Sequence, residues 1–195
     1  YLSVIFVIHI LIMNKHLNFI INSSEITAGT RGASLGPDAI LTAARQQENK
    51  LFGTYPVNRI PNMNHLLDGE TTHQFAKRID GLVEVYKNIS KEVGSVLSAG
   101  KFPLILAGDH GSAGGTIAGI KTAFPDKRLG VVWIDAHGDI HSPYTTPSGN
   151  IHGMPLSTAL SEDNIPCKSN DVPQETIALW DELKQLGGIS PKILP

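Results

Sequence analysis

The chain has 195 residues, 41% of them hydrophobic and 17% charged, which suits one soluble domain with a real core. A formal net charge of −2 argues against nucleic acid or an anionic membrane surface as the main partner. The single cysteine, Cys167, excludes an internal disulfide framework, fits a reducing cytoplasm and reads as structural.

Residues Tyr1 to Ile12 are nearly all apolar. The run is shorter than the ~20 residues that span a bilayer, and it lacks the basic start and cleavage site of a secretory signal. Met13 looks like a natural start, so the expectation is that residues 1–12 are upstream sequence and that 13–195 form one domain. His9 within the run is incidental. Leu17 to Asn22 predicts a first core strand, followed by a Gly/Ser/Thr-rich loop over Ser23 to Gly36. Within that loop Glu25 and Arg31 fit an ion pair, a subunit contact or a solvated surface. Gly36-Pro37-Asp38 opens a helix that runs to Gln47, with proline in its first turn and an acid at its positive end.

Val57 to Ile60 predicts a short strand, and Asn62 to Gly69 a loop. Apolar residues at spacings of three and four, from Phe75 to Leu97, predict a helix over Thr72 to Ala99 with Gly100 as its cap. Phe102 to Ala107 is a buried strand. Gly108-Asp109-His110 turns out of it, and Ala113 to Phe124 is a helix stopped by Pro125. Val131 to Ile134 is a second continuous apolar run and predicts another buried strand, parallel to the first through a right-handed βαβ connection. Leu156 onward is helical, Ser161 to Asn170 is loop, and Pro173 to Leu186 is a last helix ended by Gly187-Gly188.

The chemistry concentrates after the second apolar run. Asp135, His137 and Asp139 alternate, and alternate side chains of an extended segment share one side. They would converge beyond the carboxyl end of a strand, where open α/β sheets bind ligands. Crowded carboxylates repel and lose hydration, and a cation relieves both. Carboxylate oxygen with imidazole nitrogen suits Mn²⁺, and also Zn²⁺, Fe²⁺ or Co²⁺. The competing reading is a polar loop whose side chains only hydrogen-bond backbone. A full D-x-H-x-D after a buried strand, with His110 on the same sheet edge and further histidines downstream, favours the metal.

These motifs resemble the arginase (ureohydrolase) family of binuclear manganese hydrolases. The resemblance rests on Gly108-Asp109-His110, Asp135-Ala136-His137-Gly138-Asp139, the stretch Thr145 to Pro155 (TTPSGNIHGMP) and the Thr30-Arg31-Gly32…Gly36-Pro37 loop. It implies an α/β fold, a parallel sheet flanked by helices on both faces in three α/β/α layers, here incomplete. It covers the N-terminal two thirds of such a protein. Asp135 would bridge two Mn²⁺ ions, His110 and Asp139 would bind one, and His137 the other. Asp139 and His152 would be catalytic, His152 as proton shuttle. Ser148, Asn150 and His141 would bind the substrate's α-carboxylate. Asp109 would either support its metal-ligand neighbour or only stabilise its turn. The implied reaction is arginine plus water to ornithine plus urea, by a metal-bridging hydroxide, in a cytoplasmic homo-oligomer.

Two departures qualify the resemblance. His141 stands where the family usually has asparagine. No later D-x-D motif completes the metal sites, so this chain is expected to be a fragment with impaired activity. The alternatives are a ureohydrolase acting on agmatine or guanidinobutyrate, and a non-catalytic metal-binding protein.

Overall fold

A computed structural model describes residues 16–193. The expectations for residues 1–12 and for a start at Met13 lie outside them. All six residues of strand β1 (Leu17–Asn22) are buried, as the unbroken apolar character of LNFIIN requires. It sits in the middle of a parallel sheet of order β2-β1-β3, with β2 at Val57–Arg59 and β3 at Phe102–Ala107. Phe19 lies opposite Val57 on one side and Leu104 on the other.

Alternate β1 side chains serve opposite layers. Ile20 enters the main core with Leu82, Tyr86, Ile89 and Val93 of helix α3 (Ile79–Ser98). Phe19 meets Phe52 at a ring separation of 4.6 Å, on the face covered by α1 (Gly36–Gln46) and the short α2 (Leu51–Thr54). Helices therefore lie on both faces of a parallel sheet, as expected. Helix α2 has no strong sequence signal and was not anticipated. Helix α4 (Ala113–Ala123) packs along α3, and α5 (Pro155–Leu160) and α6 (Gln174–Gln185) follow. Trp180 and Leu183 of α6 are fully buried in the same core.

Two expected elements differ. The long helix begins at Ile79, not Thr72, because residues 73–78 are engaged elsewhere. The Ala76 amide bonds back to His73, the Lys77 amide donates to Gly149, and Arg78 turns into the left-handed region at φ 63°. The larger difference is at residues 130–134, which form no strand. Val132 is 87% exposed and Ile134 85% exposed. A strand needs a neighbour for its amides and carbonyls. Among the described residues none lies beside this run, and the outer edge of β3 has no partner. The expected βαβ unit is thus not completed. No described helix is long and apolar enough to cross a membrane.

Candidate metal centre

The site lies at the carboxyl edge of the sheet, where β1 and β3 both end. The ladder between them continues past the strands: the Gly108 amide donates to Asn22 O at 2.8 Å and the Asp109 amide to Ser24 O at 3.0 Å. Any side chain at Gly108 would collide with the Ser24 carbonyl, so this approach requires glycine. The backbone beneath His110 is therefore fixed by the sheet itself.

His110 meets two carboxylates there. One ligand atom each from His110, Asp135 and Asp139 lies within 4.8 Å of the others, and His110 Nε2 is 3.4 Å from Asp139 Oδ2. Asp139 is buried and held in the left-handed region at φ 48°, and its Oδ2 accepts a 3.1 Å hydrogen bond from Trp133 Nε1. Asp135 Oδ1 accepts the His137 amide at 3.0 Å. That amide, ahead of the nearby His110 charge, holds the Asp135 carboxyl below the usual range even against some loss of hydration.

His137 stands apart from the three. Its side chain is 82% exposed and its Nδ1 is 3.8 Å from Asp135 Oδ1. The alternation expected of an extended D-x-H-x-D is broken by the bend at residues 135–137 and the positive φ of Asp139. One imidazole and two carboxylates with open positions remaining fit a single divalent ion of the manganese or zinc type. His110 Nε2 is also 2.9 Å from His152 O, a hydrogen bond that an ion taking this nitrogen would replace.

Beside these ligands is a cleft of about 400 Å³ lined by His110, His137, Asp139, His141, Ser148, Asn150 and His152. The fold thus brings every sequence-picked residue except Asp135 to the wall of one cavity. The Ser148–Asn150 turn rests on the 73–78 segment. Gly149 adopts φ 77°, a side chain there would strike Gln74 O, and Lys77 N–H donates to Gly149 O at 2.8 Å. Ser148 Oγ accepts the Asn150 amide at 3.2 Å. His141 is exposed, with Nδ1 3.1 Å from Thr145 Oγ1. The His152 ring centroid lies 5.7 Å from that of His110.

The surrounding loops are pinned by polar side chains. Ser142 Oγ donates to Asp163 O at 2.5 Å, while Asp163 Oδ1 accepts from Trp180 Nε1 at 2.8 Å and Lys184 Nζ at 2.7 Å, which fastens the 139–146 loop to α6. Glu25 is buried and accepts the amides of Gly32 and Ser34 at 2.8 and 2.7 Å. Burial pushes its carboxyl up, but those hydrogen bonds and Arg31 outweigh it and hold it low. Arg31 itself is exposed and pairs with Asp68 at 2.6 Å. Cys167 is free and exposed, so it fills no place in the core. Sequence reasoning missed Trp133 as a donor to Asp139, because it read the indole as core.

A parallel sheet with His110, Asp135 and Asp139 gathered at its carboxyl edge, opening on a cleft of histidines and small polar groups, defines an α/β protein with a group able to hold a metal ion. The arginase family model matches residues 19–172, and the chain belongs to that family. It is 34% identical over 192 residues to the arginase of Brevibacillus brevis, covering 93% of this chain and 55% of that one. Against the arginase of Bacillus caldovelox the identity is 33%, over 85% of this chain and 50% of the other. The crystal structure of arginase from Bacillus subtilis superposes with a TM-score of 0.70 at 31% identity, over 92% of this chain and 55% of that one. The chain spans about half the length of the curated relatives it matches, against the two thirds expected.

Proposed function

We propose that the chain carries the site of a metal-dependent ureohydrolase whose substrate is arginine, yielding ornithine and urea by hydrolysis of a linear amidine C–N bond. The observation that supports this best is the approach of His110, Asp135 and Asp139 to within 4.8 Å of one another, beside the Ser148–Asn150 turn. Manganese is the proposed metal, matching a carboxylate-rich donor set. A bound ion supplies the Lewis acidity that makes water a usable nucleophile near neutral pH.

The chain's own groups would do the rest. Ser148 and Asn150 offer a hydroxyl and an amide to an α-carboxylate, and His141 adds an imidazole donor at the mouth. Asp139, close to the reacting centre and held by Trp133, would orient the attacking water. The His152 ring would hand a proton to the leaving amine nitrogen, a transfer that suits an imidazole. His137 stands away from the cluster, so we propose one ion per chain and weak turnover. The exposed His141 favours a second reading, a ureohydrolase for agmatine, which lacks the α-carboxylate, or for guanidinobutyrate, which lacks the α-amino group. A non-catalytic, metal-binding role is the third. The proposal extends to a cytoplasmic homo-oligomer with no nucleic-acid or membrane partner.

Urea release with Mn²⁺, arginine against agmatine, separates these readings. The expected result is slow, arginine-preferring release whose KM rises about tenfold in Ser148→Ala, the loss of one hydrogen bond to a charged group. Preference for agmatine would select the second reading, and metal binding without urea the third.

A further inference from the structure

Asp109 is 8% exposed and sits between the sheet and the metal cluster. Among the described residues its carboxylate takes no hydrogen bond from its own turn. Instead Oδ2 accepts the amides of Thr27 at 2.9 Å and Ala28 at 3.2 Å, residues of the loop after β1. The carbonyls of those same two residues face the cleft wall. Thr27 O accepts the His152 amide at 3.3 Å, and Ala28 O accepts Asn150 Nδ2 at 3.4 Å. His152 O in turn meets His110 Nε2 at 2.9 Å.

The strengths in this chain are unequal. Bonds from two amides to a carboxylate are charge-assisted and short to moderate in length. The two bonds onward to His152 and Asn150 are at the long, weak end of the range and persist only where the acceptors are held still. We infer that Asp109 is a positioning residue that sets the substrate-facing wall of the cleft through the Thr27–Ala28 strap. Without its carboxylate, two amides are left seeking water, the strap rotates, and the weak bonds to His152 and Asn150 are the first to open.

The test uses the full chain free of metal, with backbone amide exchange followed residue by residue in Asp109→Ala. Exchange at Thr27, Ala28 and His152 is expected to quicken about tenfold, with the α3 amides of Tyr86 and Ile89 unchanged. His152 is the decisive probe, because Asp109 does not touch it. Faster exchange at Thr27 and Ala28 with an unchanged His152 would overturn the inference, as would equal acceleration in α3, which marks a general loss of stability. If Asp109→Ala does not fold, Asp109→Asn, which keeps an acceptor oxygen, decides: His152 exchange rises about threefold or the inference fails.

A second arm rests on the proposed function. In Asp109→Asn the KM for arginine rises more than that for agmatine, which lacks the α-carboxylate, while kcat falls on both substrates through His152. An equal rise in KM for both substrates, or an unchanged kcat, would overturn the inference. Absence of turnover in the parent chain would count against the proposed function and leave the exchange result to decide this one.

Discussion

Phe102–Ala107 and Val131–Ile134 are alike in sequence and unlike in structure. Both are apolar runs that lead into glycine, aspartate and histidine. The first pairs along its whole length with β1, and its ladder carries on through Asp109. The second has no neighbouring strand among the described residues and leaves Val132 and Ile134 in solvent. A run's own composition makes it fit for a sheet, but a partner decides whether it enters one. The two halves of the candidate metal site inherit that difference. His110 is placed by the sheet, whereas the Asp135 and Asp139 carboxylates accept from the His137 amide and the Trp133 indole, and the Asp139 carbonyl accepts the Leu156 amide.

The sharpest way to break this comparison is truncation of one isoleucine on each side. Ile20→Ala empties a fully buried site between β1 and α3 and is expected to cost about 2–5 kcal/mol in urea unfolding. Ile134→Ala should change stability by less than about 0.5 kcal/mol. Similar losses in both would mean that residues 130–134 are as buried as β1.

A buried charge in the well-packed half gives the next largest effect. Lys192 is 3% exposed and donates to the carbonyls of Thr158, Leu183 and Lys184. Burial pushes its ammonium down to about 8. Between pH ~8 and ~10.4 the unfolded chain then binds more protons than the folded one, so stability rises with pH across that window. The full contribution is about 3 kcal/mol, present above the window and lost as pH falls through the folded value. Lys192→Met should flatten the rise in unfolding free energy measured at pH 8, 9 and 10.

The smallest expected effect sharpens the comparison from the irregular side. Trp133→Phe keeps the ring but removes the donor to Asp139 Oδ2. Mn²⁺ affinity should fall about tenfold with little change in unfolding midpoint. An unchanged affinity would show that Asp139 is held by something other than the indole.

Much of the fold was legible because burial leaves a pattern. The unbroken LNFIIN run, the three-and-four spacing from Ile79 to Val96 and the proline at the start of α1 each name their element. The site was legible where chemistry clusters locally, as in His110, Asp135 and Asp139. It was not legible where a residue acts on a distant part of the chain. Nothing near Asp109 says that it holds Thr27 and Ala28, over 80 positions earlier. Nothing near Gly149 names Gln74 as the backbone it must clear. The place of His137 outside the three-ligand group was not legible either, because the segment bends at 135–137 and turns left-handed at Asp139.

Calorimetric titration of the chain with Mn²⁺, beside His110→Ala, Asp139→Ala and His137→Ala, tests the three-ligand centre most directly. One ion per chain should bind, with affinity lost in the first two variants and kept within about threefold in the third. Loss of binding in His137→Ala, or full affinity in Asp139→Ala, would contradict it.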